Sequence, residues 1–185
     1  EGRRIAVDVD LSKFFDRVDH DLLMRNLSRH TKDKRLMKLV GKYLRAGVMD
    51  NDVFLNSVQG VPQGGPLSPL LSNIMLDDLD KELEQRGHHF ARYADDFIIL
   101  VKSERAGKRV LKSVTHFLES RLKLKVNTEK SQVVKSSKCK FLGFTFRNGK
   151  IHWHDKSLQK LKQEIRKLTN RNWGVSMSYQ LFKLK

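Results

Sequence analysis

Disulfides, multi-cysteine zinc sites and membrane-spanning helices are all excluded by what this sequence lacks. It has one cysteine, Cys139, whose apolar neighbours predict a packed side chain in a reducing, cytoplasmic setting. Its longest uninterrupted apolar run, 97–101, is far too short to cross a bilayer, and there is no acylation or prenylation signal. Repeats and low-complexity stretches are absent, and proline is confined to positions 62, 66 and 69. No signal segment opens the chain, which begins Glu1-Gly2-Arg3-Arg4 and stops at Leu184-Lys185 inside a helical pattern; both ends are expected to be cut. Acid is short relative to base: 21 Asp and Glu against 37 Lys and Arg leave a formal charge of +16 and a pI near 10.1. With a membrane surface disfavoured, the polyanion expected as partner is nucleic acid.

What is present reads as a globular chain of one domain or slightly more, with 39% apolar residues over 185 positions. Val and Ile dominate 5–11, and in an extended chain Asp8 and Asp10 fall on one face. Leu22, Leu23 and Leu27, then Leu36, Met37, Leu39, Val40, Tyr43 and Leu44, recur at helical spacing and predict two short basic helices, the second ended by Gly47. The stretch 59–66 holds too much glycine and proline for regular structure. Ser68-Pro69 then predicts an N-cap and first-turn proline for a helix over 69–85. Asp16 and Asp19 are expected to cap or pair near the helix that follows them.

Two β-rich runs, 90–93 and 97–102, flank a tight Ala94-Asp95-Asp96 and predict a hairpin with an acidic tip. Val110, Leu111, Val114, Phe117, Leu118 and Leu122 mark a helix; a short strand is expected at 132–134. The runs 140–146 and 150–153 flank Asn148-Gly149, the dipeptide favoured in type I′ turns. Leu158, Leu161, Ile165 and Leu168 predict an amphipathic basic helix, with a domain boundary between residues 154 and 155. Segregated helices with mostly antiparallel pairing define the α+β class, as a domain 1–154 followed by a helical region 155–185.

Aspartates in apolar strands or at their tips are expensive unless neutralised. Two carboxylates about 4 Å apart repel by about 4 kcal/mol at an effective dielectric near 20, so a strand Asp facing a hairpin Asp pair implies a cation or raised pKa values. Hard oxygen donors select Mg²⁺ or Mn²⁺ over zinc, and few protein ligands leave room for phosphates. Such a site suits phosphoryl transfer. Taken alone, Asp95-Asp96 also reads as an ordinary solvated turn.

Several ordered motifs change that balance. Tyr93-Ala94-Asp95-Asp96 between apolar strands resembles the Tyr-x-Asp-Asp box of reverse transcriptases, and Asp10-Leu11-Ser12-Lys13-Phe14-Phe15-Asp16 resembles their first catalytic motif. Gly60 through Pro69 resembles the substrate-binding motif of the group II intron branch, and Lys130 and Phe141-Leu142-Gly143-Phe144 stand in order where that family has a lysine motif and its primer grip. The resemblance covers 5–146 and implies a polymerase palm with the beginning of a helical thumb. It implies RNA-directed DNA polymerisation, with a primer 3′-hydroxyl attacking a dNTP on an RNA template.

Further residue roles follow from the resemblance. Asp10 and Asp95 would bind two Mg²⁺ ions, for which Mn²⁺ can substitute, with Asp96 assisting and the Leu11 carbonyl as a further ligand. Asp8 competes on the same strand face, but only Asp10 stands five residues before Phe15, where the family places its gate against the ribose 2′-hydroxyl. Gln63 and Gly64 would contact the dNTP, and Lys130 would sit near the leaving pyrophosphate. Phe141, Leu142 and Gly143 would hold the primer end, while Lys160, Arg166, Lys167 and Arg171 would contact the template–primer duplex. Intron RNA is a further expected partner, and the fingers and remaining thumb of the same polypeptide are expected to lie outside this stretch, so that the piece alone is expected to be inactive. The alternatives are an RNA-binding maturase whose polymerase activity is incidental, a domesticated or CRISPR-associated relative, and an RNA-templated RNA polymerase, which an aromatic gate disfavours.

Overall fold

The computed structural model describes residues 2–46, 48–50, 53–55, 59–61, 65–170 and 174–184. Gln63, Gly64 and Arg171, three of the expected contact residues, lie outside them, as do Pro62 and Trp173. In chain order the elements are β1 (Ile5–Val9), α1 (Phe14–Arg17), α2 (His20–His30), α3 (Lys34–Arg45), β2 (Val48–Asp50), β3 (Val53–Leu55), α4 (Ser68–Gln85), β4 (His89–Tyr93), β5 (Asp96–Val101), α5 (Glu104–Arg121), β6 (Gln132–Lys135), β7 (Phe144–Arg147), β8 (Lys150–Trp153), α6 (Asp155–Leu168) and α7 (Met177–Leu184). They form two compact units, Glu1–Lys135 and Ser136–Lys185.

In the first unit, β1 is a central strand because it has an antiparallel partner on each side, in the order β4-β5-β1-β6. Strand alternation sends Val7, Val9, Phe97 and Ile99 to one face, where they are fully buried with Leu71, Met75 and Leu79 of α4 and Val114 and Leu118 of α5. Gly107 lets α5 settle closely on this face: a Cβ there would stand 2.5 Å from Val133 Cγ1. The other face carries Asp8, half-buried, between Ile98 and Gln132.

Three local expectations need correction. Ser68 is not the cap of α4: the N-cap position is Leu67, with no side-chain cap bond, and Ser68 is already inside the helix and buried. The short β2–β3 hairpin was not anticipated. The run 140–146 is not one strand, because Leu142 and Gly143 both take positive φ, 50° and 85°, and reverse the chain. Phe141 and Phe144 close that turn with reciprocal backbone bonds of 2.9 and 3.0 Å. The turn at Asn148-Gly149, with φ of 52° and 73°, joins β7 to β8 as the dipeptide predicts.

Within the second unit the Gly143 carbonyl accepts from the His154 N–H at 2.9 Å, and a Cβ on Gly143 would approach Ser157 Oγ to 3.2 Å. The anticipated boundary at 154/155 thus falls inside this unit, between a hairpin and the helix whose start it touches. No residue of α6 is buried, and its apolar stripe stays open, with Leu161 and Ile165 each 44% exposed.

Asp19 caps α2, its carboxylate accepting from the Leu22 N–H at 2.9 Å and from Lys123 Nζ at 2.6 Å. The Lys123 bond, then the Leu22 bond, hold this carboxyl below the usual carboxylate range. A lowered folded-state pKa stabilises above the unfolded value and loses that contribution as pH falls through the folded one. Asp19→Ala should therefore cost about 1 kcal/mol at neutral pH, read as the urea midpoint. The gap to the parent should narrow as pH drops below about 4; an equal gap at pH 7 and pH 3.5 would contradict this assignment.

Candidate active site

The acidic site is built where β1 runs out of ladder. Pairing of β1 with β5 extends from Ile5↔Val101 to Val9↔Phe97, so Asp10 directly follows the last paired residue of β1 and Asp96 directly precedes its partner. Opposed residues in such a ladder have Cα atoms about 4.5–5.5 Å apart. Tyr93 pairs with Asp96 across the hairpin, leaving Ala94 and Asp95 as a two-residue turn. Ala94 takes φ 54°, a left-handed conformation unusual for alanine. Asp10, Asp95 and Asp96 thereby reach one end of the sheet, each at least partly accessible.

The backbone of Asp10 is held after regular pairing ends. Its N–H donates to Ser131 Oγ at 3.0 Å, and its carbonyl accepts from the Asn127 N–H at 2.9 Å. Leu11 bridges Val126, and the Ser12 N–H donates to the Lys125 carbonyl at 2.8 Å. Asn127 Oδ1 in turn accepts from the Glu129 and Lys130 N–H groups at 3.1 and 3.3 Å, folding 127–131 into a turn. Lys130 is exposed on that turn, next to the residue that anchors Asp10.

Asp8 has a different setting. Gln132 Nε2 donates to its carboxylate at 3.2 Å. Burial pushes its carboxyl above the usual range, the Gln132 bond opposes that, and the charge of Asp10 adds to the rise.

Phe15 packs edge-on against Phe14, with ring centroids 5.1 Å apart and planes at 77°, and its ring is only partly buried against the core. Its carbonyl accepts from the Val61 N–H at 2.6 Å; the Gly60 N–H donates to the Val18 carbonyl at 2.8 Å, and His20 Nε2 lies 2.6 Å from the Gly60 carbonyl. The segment holding Phe15 and the stretch 60–61 are thus joined along their backbones.

Sequence reasoning missed Arg92. On β4 opposite Phe97, it faces the helices and is 10% exposed. Its Nε and one terminal nitrogen bind both oxygens of Asp80 on α4, while the other terminal nitrogen donates to Asn73 Oδ1 at 2.8 Å and to the Ala94 carbonyl at 2.9 Å. The only sequence signal was a charged residue at an inward strand position, which demands a partner. Phe141, Leu142 and Gly143 belong to the second unit as a turn, with Leu142 48% exposed at its tip. Lys160, Arg166 and Lys167 are exposed on α6, Lys167 lying 3.7 Å from Glu164. Among the described residues no three His, Cys, Asp or Glu side chains are gathered into a metal-holding cluster, and no helix is long and apolar enough to cross a membrane.

An antiparallel sheet with helices on one face and an acidic turn at its end has the architecture of a polymerase palm. Solved telomerase structures share it: apo telomerase from Candida tropicalis superposes with a TM-score of 0.67 over 85% of this chain and 34% of that one, at 15% identity. The chain belongs to the reverse transcriptase (RNA-dependent DNA polymerase) family, which it matches over residues 1–146. Among curated relatives, Protein YkfC of Escherichia coli is 35% identical over 70% of this chain and 43% of its own length. The putative COX1/OXI3 intron 2 protein of Saccharomyces cerevisiae is 32% identical over 75% of this chain and 23% of itself. The group II intron-encoded protein LtrA of Lactococcus lactis is 27% identical over 79% of this chain and 35% of itself. The chain therefore spans less than half the length of these relatives.

Proposed function

We propose that this chain is the catalytic palm, with the start of the thumb, of an RNA-directed DNA polymerase of the group II intron type. The observation that carries the reading is that Asp10 and Asp96 adjoin the last β1–β5 pair, Val9↔Phe97, with Asp95 in the neighbouring turn, at one accessible sheet end. Their donors are hard oxygens, which fit Mg²⁺ or Mn²⁺, and a shared ion is what would draw these carboxylates together. Asp10, Asp95, Asp96 and the Leu11 carbonyl would hold two Mg²⁺. Bound there, the pair supplies a more acidic primer 3′-hydroxyl and neutralises charge on the triphosphate. Asp8, already engaged by Gln132, suits this role less well than Asp10.

The remaining residues position the reactants. Phe15, its carbonyl pinned to Val61, holds a ring where an added ribose 2′-hydroxyl would collide, and Lys130 projects from the turn that anchors Asp10. Leu142 and Gly143 offer an exposed tip and bare backbone to the primer end. Gln63 and Gly64 complete the nucleotide contacts, and Lys160, Arg166, Lys167 and Arg171 bind duplex phosphates. The open basic face of α6 also supports a second reading, in which the same protein binds intron RNA as a splicing cofactor.

The substrate assignment is tested by primer extension on an RNA template with the polypeptide at its natural length. The parent should add dNTP in preference to rNTP, and Phe15→Ala should narrow that preference by about tenfold to a hundredfold. An unchanged ratio would remove Phe15 from the gate.

A further inference from the structure

From the bonds of Arg92 we infer that it is a positioning residue for the catalytic turn, fixing the direction of the Asp95 carboxylate by holding the carbonyl just before it. The claim rests on the metal-binding role proposed for Asp95 and adds how that side chain is aimed.

A two-residue hairpin turn has few internal constraints, and this one begins with Ala94 in a left-handed conformation at φ 54°. Such a conformation is strained for a residue with a Cβ and persists only where its surroundings over-determine it. Tyr93 and Asp96 fix the two ends of the turn by pairing with each other. The peptide between Ala94 and Asp95 has one described side-chain partner, the Arg92 nitrogen 2.9 Å from the Ala94 carbonyl. Rotation of that peptide would swing the Cα–Cβ bond of Asp95, so the bond acts on the aspartate without touching it.

Arg92 can serve as a fixed point because it is itself clamped. Asp80 takes two nitrogens of its guanidinium in a fork, and Asn73 shares the third with Ala94. Both partners stand on α4, a helix of 18 residues whose apolar side is sunk in the core. Burying a guanidinium at 10% exposure would be unfavourable without that carboxylate. The turn is thereby referenced to α4, which also follows directly on the loop carrying Gly60 and Val61. Lysine keeps the charge but offers a single ammonium with no planar fork, and cannot hold Asp80, Asn73 and the Ala94 carbonyl in this arrangement.

The test uses the full-length polypeptide carrying Arg92→Lys. Turnover in dNTP addition should fall about tenfold to a hundredfold, as a small misdirection of a reacting group does. Affinity for Mn²⁺, titrated by electron paramagnetic resonance without nucleotide, should fall severalfold, while primer–template affinity by fluorescence anisotropy stays at the parent value. A folded variant with parental turnover and Mn²⁺ affinity overturns the inference, as does a loss wholly matched by weaker primer–template binding. Should Arg92→Lys fail to fold, Asn73→Ala removes one bond of the clamp; it should show the same two changes at smaller amplitude, and parental values there overturn the inference equally. Asp95→Asn reports on the metal role itself: an inactive Asp95→Asn beside an unaffected Arg92→Lys sinks the positioning claim alone.

Discussion

Asp95→Asn should lower dNTP addition on a primed RNA template by about a thousandfold, about 4 kcal/mol of transition-state stabilisation. Asparagine keeps the size and one oxygen of the side chain but removes the charge that a divalent cation requires. Asp10→Asn should match it, because the two side chains end neighbouring strands at the same sheet end. Asp8→Asn is the control: it lies on the same strand face but is already bonded to Gln132, and its rate should stay within about threefold of the parent, near the margin of ordinary surface changes. The measurement is single-turnover primer extension at saturating Mg²⁺. Parental rates for Asp95→Asn would end the polymerase reading, whereas a large loss in Asp8→Asn with none in Asp10→Asn would reassign the strand aspartate.

Gly60→Ala is expected to be the most disruptive change away from the carboxylates. A Cβ at this position would lie 2.9 Å from the Phe15 carbonyl oxygen and 3.0 Å from that of Asp16, and the backbone stands at φ +92°. Neither oxygen is the loose end of a side chain; both belong to the backbone that carries Phe15. The conformation alone costs a residue with a Cβ about 1–3 kcal/mol, and relief of the clash requires parting the bonds Val61 N–H to Phe15 and Gly60 N–H to Val18. Thermal unfolding should begin several degrees lower, at about 2–4 °C per kcal/mol for a chain of this size. In the same variant, discrimination between dNTP and rNTP should weaken, since Phe15 moves with its carbonyl. Loss of stability with discrimination intact would mean that the ring keeps its place by packing on Phe14 alone.

The parts of this molecule legible in the sequence are those governed by local pattern. The apolar run predicted β1, the tight acidic interval predicted the β4–β5 hairpin, and Asn148-Gly149 predicted the β7–β8 turn. Failures arose where a local signal had two readings. Ser68 before Pro69 resembles a cap, but burial drew it into the helix. Gly143 in an aromatic run reads as a strand glycine, yet with Leu142 it turns the chain. What pattern does not carry is pairing over long separations: Ser131 with Asp10, His20 with Gly60, and Arg92 with Asp80 and Asn73 are visible only in three dimensions. The stripe on α6 is a related case, since periodicity gives an apolar face but not what covers it.

The central place of β1 has a consequence for how the protein is made. The partners that complete the surroundings of this strand, Gln132 and Ser131, are synthesised 124 and 121 residues after the aspartates they bond, Asp8 and Asp10. At about 5–20 residues per second, the wait is on the order of ten seconds. Through that interval the edge of β1 that pairs with β6 stays open, even after β5 has covered the other, and an unpaired edge is a template for association with other chains. Ribosome stalling upstream of residue 132 should therefore release insoluble rather than merely inactive product, making the proposed catalytic end of the sheet among the last parts of the molecule to become safe.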